Sequence, residues 1–196
     1  HGVRPAAGEG DADVLIFNTC SVRDQAERKA MGKIGLMKKL KRDKPELIIG
    51  VIGCVAQNRP EEILEECPHV DFILGTDKLH EIPQAIEECR HGRRGIVDLE
   101  ADAAILGQMG QHKPGRYSDF VSVMRGCDQY CSYCIVPYVR GHEKSRPIAD
   151  IVEEVRRLVA GGTKEIFLLG QNITAYGLVE LWREHRCTPA ASPFAE

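Results

Sequence analysis

The sequence predicts an α/β protein in two successive parts, an open parallel sheet followed by the opening of a β/α barrel. Short apolar runs alternate with helical stretches through the first half of the chain, which is the pattern of parallel βαβ units. After a polar, glycine-containing interruption, the order strand, loop, helix, strand begins again. Cysteines stand beyond three of the apolar runs, so the strand ends carry the residues with chemistry.

Residues 13–18, Asp-Val-Leu-Ile-Phe-Asn, form a continuous apolar run suited to a strand buried on both faces. Cys20 follows. Ser21 and Asp24 read as a capping pair for a long helix over 22–42, closed by Pro45. Residues 47–52 are a second buried strand, with Gly53-Cys54 just beyond it. A helix over 60–66, a strand over 70–74, a helix over 79–89 and a short strand over 96–99 complete an open sheet of Rossmann or flavodoxin-like type. Its strands run the same way, so Cys20 and Cys54, one βαβ repeat apart, leave at the carboxyl edge. Neighbouring parallel strands put their Cα atoms within roughly 5 to 10 Å of each other.

Between 100 and 119 the periodicity is lost among Gly107, Gly110, Pro114 and Gly115, as in an interdomain linker. A new strand over 120–124 leads into a cysteine loop. Pro147 introduces a helix over 148–160, Gly161-Gly162 stops it, and a strand over 165–169 ends in Gly170-Gln171-Asn172. The predicted organisation is a first domain over 1–99, a linker over 100–119, the start of a barrel over 120–177 and a tail over 178–196 without periodicity.

The chain has 196 residues, 43% hydrophobic content and a formal net charge of −3, which suits a soluble domain and gives no overall pull toward nucleic acid. Its longest apolar run is far short of a membrane span, and no signal segment opens the chain. Eight cysteines without a secretion signal point to a reducing, cytoplasmic setting in which thiols serve metals. Basic residues are bunched at Lys38, Lys39, Lys41, Arg42 and Lys44, and again at Arg140, Lys144 and Arg146. The first group reads as a solvated helix end that suits the macrodipole, with RNA contact as the alternative. The first residue is His1 rather than methionine, as expected of a processed product, an expression product or a piece of a longer reading frame.

Cys127, Cys131 and Cys134 form a C-x3-C-x2-C run in the stretch from Arg125 to Pro137. Three thiolates on one short loop can hold three corners of a [4Fe-4S] cube and leave one iron open. Zinc would want a fourth ligand, and His142 falls outside the usual spacing from Cys134. Three clustered thiols cannot all pair among themselves as disulfides, and nothing marks the chain as secreted. Gly126, Asp128 and Pro137 read as loop residues, which argues against cysteines buried on a helix face.

Four motifs stand in order along the chain: Asn18-Thr-Cys-Ser-Val-Arg23, Gly50-Val-Ile-Gly-Cys-Val-Ala-Gln57, the cysteine loop running on through Pro137-Tyr-Val-Arg-Gly-His-Glu-Lys-Ser-Arg-Pro147, and Leu168-Leu-Gly-Gln-Asn172. Together they resemble the radical S-adenosylmethionine (SAM) methylthiotransferases, nearest the MiaB-type branch that modifies tRNA. The resemblance covers about residues 11 to 177. It implies a cytoplasmic enzyme that replaces the C2 hydrogen of N6-isopentenyladenosine beside the anticodon with a methylthio group. Two [4Fe-4S] clusters and two equivalents of SAM would be used.

By resemblance, Cys127, Cys131 and Cys134 are ligands of the radical-generating cluster, and Cys20 and Cys54 are two of three ligands of an auxiliary, sulfur-supplying cluster. The third belongs to a strand preceding His1, so that cluster is expected to be incomplete in this chain. Tyr133 is similar to the aromatic residue near the cofactor's adenine; packing in a core is its other reading. Gly170 and Gln171 match the strand end that helps hold the cofactor's methionine portion. Cys67 and Cys89 match no motif and read as ordinary buried thiols. Residues 178–196 leave the family pattern, and with so little of the barrel present the chain as given is expected not to turn over tRNA. The expected partners are the tRNA anticodon stem-loop and a flavodoxin or ferredoxin as reductant, with a monomeric chain and no membrane. Rival readings are a methylthiotransferase for threonylcarbamoyladenosine in tRNA or for a ribosomal protein aspartate, and a non-catalytic iron-sulfur or RNA-binding module.

Overall fold

A computed structural model describes residues 3–101, 112 and 115–178. The chain divides into two compact units, His1–Asp102 and Ala103–Glu196. The predicted linker falls largely outside the described residues, as does the tail beyond Leu178.

In the first unit β1 (Val14–Thr19), α1 (Asp24–Asp43), β2 (Ile48–Gly53), α2 (Cys54–Asn58), α3 (Pro60–Glu66), β3 (Phe72–Leu74), α4 (Ile82–Arg90) and β4 (Ile96–Asp98) follow one another. The four strands form one parallel sheet in the order β1-β2-β3-β4. Every residue of β2 is buried, because helices cover both faces. Ile49 and Val51 pack with Ile34 and Met37 of α1 and Ile63 of α3. Ile48 and Ile52, one residue out of phase, pack with Ala85 and Cys89 of α4. This is why the strand reads as an unbroken apolar run rather than an alternating one. Gly50 is needed for space, since a Cβ there would lie 2.0 Å from the Phe72 ring.

Two expectations are corrected here. Ser21 and Asp24 do not cap α1: Arg23 is the cap residue, no side chain bonds to the helix start, and Asp24 instead pairs with Arg28 one turn on. The helix predicted over 79–89 begins as a single tight turn at Leu79–Glu81, and α4 starts at Ile82 with Pro83 in its first turn, where a missing N–H costs nothing.

Much of the first basic group is structural. Lys41 places its ammonium 2.7 Å from Oδ2 of Asp71 and also donates to the Leu47 carbonyl. Asp71, only 5% exposed at its side chain, further accepts from the Ile49 N–H at 2.7 Å and pairs with Arg94 at 3.3 Å. Lys44 pairs with Asp13. Lys38, Lys39 and Arg42 stay exposed. Lys41→Ala is therefore expected to destabilise the chain by about 2 to 4 kcal/mol, because it strips a partner from a buried carboxylate. Lys38→Ala and Lys39→Ala should stay within about 0.5 kcal/mol of the parent. Urea unfolding followed by circular dichroism reads the difference.

The second unit contains β5 (Ser118–Ser122), β6 (Met124–Arg125), α5 (Val136–Arg140), β7 (Lys144–Ser145), α6 (Ile148–Ala160) and β8 (Glu165–Leu169). The strand predicted over 120–124 is two strands. β5 pairs parallel with β8, whereas β6 pairs antiparallel with β7. Val123 is the crossover, its N–H going to Leu169 and its carbonyl taking the Arg146 N–H. α6 packs Ile151, Val155 and Leu158 against Val121 and Ile166, so the expected strand, loop, helix, strand order forms one parallel βαβ unit. Among the described residues this sheet has two strands and does not close into a barrel.

A buried charge cluster holds the unit together. Arg146, 4% exposed at its side chain, lies 2.5 Å from Glu154 of α6 and donates to the Ser122 carbonyl. His112 bridges Glu154 at 2.6 Å and Asp119 at 3.2 Å. Asp119 is held below its ordinary pKa of 3.8, first by the Phe120 N–H its carboxylate accepts and then by His112. A depressed carboxylate contributes stability above its unfolded pKa and loses it as pH falls through the folded value. The stability gap between the parent and Asp119→Asn should therefore be full at neutral pH and shrink below about pH 4, as read from urea midpoints across a pH series.

Candidate metal centres

In the first unit the β1–β2 ladder ends at the pair Thr19↔Gly53, and Cys20 and Cys54 are the next residue on each strand. The two therefore leave the same edge of the sheet, on strands spaced by about 5 Å. Thr19 fastens the two ends together. Its hydroxyl donates to the Ile52 carbonyl at 2.6 Å and accepts the Val55 N–H at 3.1 Å, so it bonds on both sides of Cys54. Gly53 turns the chain from β2 into α2 at φ +92, and a Cβ there would meet the Thr19 carbonyl at 2.6 Å. Only glycine fits both the left-handed backbone and the close approach. Gln57 ties α2 to the ends of β3 and β4, donating to the Leu99 carbonyl at 3.1 Å and accepting the Thr76 N–H at 3.2 Å. Cys20 is exposed, whereas Cys54 is 2% exposed.

In the second unit the cysteine loop is pinched at its base by the β6–β7 hairpin, with Met124 opposite Ser145 and Arg125 opposite Lys144. One step further in, the Cys127 N–H donates to the Gly141 carbonyl at 3.2 Å. Gly126 has φ +79, and a Cβ on it would stand 2.0 Å from the His142 carbonyl oxygen. Cys131 and Cys134 are joined by a turn in which the Cys134 N–H meets the Cys131 carbonyl at 2.9 Å. Cys131 is exposed, and Cys127 and Cys134 are half-buried. Tyr133, at 89% exposure, is the most open of these residues and packs in no core.

The end of β8 meets the same loop. The Gly126 N–H donates to Oε1 of Gln171 at 2.7 Å, so this carboxamide props the loop from the neighbouring strand end. Gly170 is needed for close approach, since a Cβ there would lie 2.5 Å from Cγ of Met124. Asn172 reaches the buried Glu143 at 3.3 Å. The motif carrying His142 and Glu143 thus acts as scaffolding, a role that spacing alone does not reveal.

All seven cysteines among the described residues are free thiols. Cys67 and Cys89 lie in separate core clusters on opposite faces of the sheet, and burial pushes both thiols up. Cys187 lies outside the described residues. No three His, Cys, Asp or Glu side chains among the described residues converge closely enough to hold a metal ion. His142 points instead to Asp128, at 2.7 Å. A loop offering three unpaired, accessible thiols beside a propping strand end has the donor set of an iron-sulfur site, and loops of this kind gather around their metal as it binds. A hollow of about 330 Å³ beside β4, lined by Glu81, Glu88, Arg93 and Asp98 among others, contains none of these candidates.

Residues 1–75 match the family described as uncharacterized protein family UPF0004, and residues 121–190 match the radical SAM superfamily. The curated relatives include the tRNA-2-methylthio-N(6)-dimethylallyladenosine synthase of Bacillus pumilus (strain SAFR-032), 42% identical over 179 residues that cover 90% of this chain and 35% of the relative. The synthase of the same name from Sulfurihydrogenibium sp. (strain YO3AOP1) is 44% identical, over 90% of this chain and 41% of the relative. The chain therefore spans well under half the length of these relatives. Among solved structures, the radical S-adenosylmethionine methyltransferase TsrM from Kitasatospora setae shares the fold, with a TM-score of 0.54 at 17% identity over 90% of this chain and 41% of that one. No helix among the described residues is long and apolar enough to cross a membrane. A UPF0004 segment followed by a radical SAM segment, at this identity to those synthases, makes the chain a member of the radical SAM methylthiotransferase family.

Proposed function

We propose that this chain is part of a cytoplasmic tRNA methylthiotransferase that installs a methylthio group at C2 of N6-isopentenyladenosine beside the anticodon. The observation that carries the reading is the identity of 42 to 44% to the tRNA-2-methylthio-N(6)-dimethylallyladenosine synthases, spread over 90% of the chain. Cys127, Cys131 and Cys134 would hold one [4Fe-4S] cluster, and Cys20 and Cys54 would be two ligands of a second. The electron donor fitting this chemistry is a small flavodoxin or ferredoxin, and the chain is read as monomeric.

An aromatic C2–H is too inert for removal by a side-chain base, and the cluster with bound SAM supplies the radical reactivity that the twenty amino acids lack. The residues of this chain bind and orient. The β6–β7 hairpin and Gln171 fix the two ends from which the thiolates of the loop are presented. Tyr133, exposed within the loop, offers a flat apolar face to an adenine. Gly170 lets the β8 end lie against Met124, where any side chain would intrude. Thr19 and Gln57 hold the strand ends that carry Cys20 and Cys54.

Anaerobic reconstitution of the chain with iron and sulfide should give a brown protein that loses most of its visible absorbance when Cys127, Cys131 and Cys134 are all changed to Ala, since thiolates are the obligatory ligands. Full retention of the cluster in the triple variant would remove the assignment. For the substrate, mass spectrometry of tRNA nucleosides from a strain deleted for the parent gene should show the methylthio nucleoside gone and N6-isopentenyladenosine accumulated. Loss of a methylthio group from threonylcarbamoyladenosine instead would reassign the branch.

A further inference from the structure

We infer that Asp128 is a positioning residue for the three-thiolate loop, fastening the segment between Cys127 and Cys131 to the strand that returns from it. This rests on the reading of Cys127, Cys131 and Cys134 as cluster ligands. Asp128 directly follows the first of them. One carboxylate oxygen lies 2.7 Å from Nδ1 of His142, and the other accepts the Glu143 N–H at 3.2 Å. Both partners lie past α5, on the far side of the loop, so a single side chain closes the loop beyond the last hairpin pair. Glu143 is itself buried and takes a hydrogen bond from Asn172 at 3.3 Å, which carries the tie to the end of β8.

The backbone between Asp128 and Cys131 needs such a restraint. Tyr130 has φ 45, the left-handed region, and it alone does so among described residues other than glycine. A bulky side chain is disfavoured there and persists only when its surroundings over-determine it. Asp128 constrains one side of Tyr130. On the other, its ring meets Tyr138 of α5 edge-on, with centroids 5.9 Å apart. Ligand loops held by outer partners keep their metal more tightly, because fewer conformations must be given up when it binds.

The test uses the full chain with Cys20 and Cys54 replaced by Ala, so that any cluster reports on the loop alone. After reconstitution, iron and sulfide per chain, the electron paramagnetic resonance spectrum of the reduced protein and the rate of iron loss to a chelator are measured. Asp128→Ala should lose iron about tenfold faster or more, with a shifted spectrum. Asp128→Asn keeps an acceptor for the Glu143 N–H and should stay within about threefold of the parent, and His142→Ala should fall between the two. A residue with only a general structural role would lower the urea midpoint without moving the spectrum or the chelator rate of the folded protein. Should Asp128→Ala not fold, the order parent, Asp128→Asn, His142→Ala decides, and equal rates in all three would overturn the proposal. Equal rates in parent and folded Asp128→Ala would do the same. If changing Cys127, Cys131 and Cys134 to Ala leaves the cluster in place, the ligand reading itself fails; if that change removes the cluster while Asp128→Ala loses iron at the parent's rate with an unshifted spectrum, the role of Asp128 alone falls.

Discussion

Parallel pairing is the constraint on which both units depend, because strands that run the same way end on the same side. In the first unit the ladder closes at Thr19↔Gly53, and cysteines follow on both strands. In the second it closes at Ser122↔Leu169, after which one strand leads through Arg125 into the cysteine loop and the other into Gly170 and Gln171. Neither arrangement requires the chemistry-bearing residues to be near in sequence. The main-chain hydrogen bonds gather them, and the intervening helices serve to bring the chain back to the start of the next strand. Register matters as much as direction. A slip of one residue between β1 and β2 would turn Ile49 and Val51 from the cluster under α1 to the one under α4, so the core itself fixes where Cys20 and Cys54 emerge.

Local side-chain bonds then refine what the ladders place. Thr19, Gln57, Asp128 and Gln171 share one form: a polar side chain from a strand end, a loop or a short helix bonds to backbone N–H or carbonyl groups of another segment. Such bonds contribute modestly to stability, of order 1 kcal/mol each, but they restrict geometry sharply because donor and acceptor directions are fixed. The glycines work with them. Gly53 and Gly126 adopt left-handed backbone where another chain segment passes within 3 Å of a would-be Cβ. In the second unit a loop that leaves Cys131 exposed and Cys127 and Cys134 half-buried is held in this way by backbone approach and polar ties.

The sheet of the first unit was legible in the sequence because apolar runs and helical stretches have a period, and the strand-end positions of Cys20, Cys54 and Cys127 follow from the strands alone. The helices over 60–66 and 148–160 and the strand over 165–169 stand where their patterns put them. What the sequence did not disclose has no period. α2 and α5 are five residues each, and the β6–β7 hairpin has two residues per strand, too short for any repeat. The false cap at Ser21 shows the converse, a favourable local pattern overridden when the chain leaves Cys20 along another path and buries the serine. Lys41 looked like part of a solvated helix end because its carboxylate partner, Asp71, is remote in sequence. The pairing of Gln171 with Gly126 was out of reach for the same reason.

The two-stranded ladder of the second unit carries a last structural message. Its α6 side is filled by Val121, Ile166 and Leu158. Its other side is apolar too, with Phe120 and Phe167 in ring contact at 5.4 Å and half exposed, and Leu169 beside them at 45% exposure. An antiparallel sheet with one wet face would alternate apolar and polar residues; a strand apolar on both sides belongs between two covers. In a β/α barrel those covers are the helix outside and the inward layers of side chains within, and the active site sits above those layers at the carboxyl ends. The cysteine loop and the Gly170-Gln171 end leave β6 and β8 at that end. Phe120, Phe167 and Leu169 thus form an apolar face that α6 does not cover, and the ties made by Gln171 and Asp128 lie beyond the carboxyl ends of the strands. Under the function proposed above, such a face would suit the exclusion of water from a reactive centre, while the ties would fix the loop that carries its ligands.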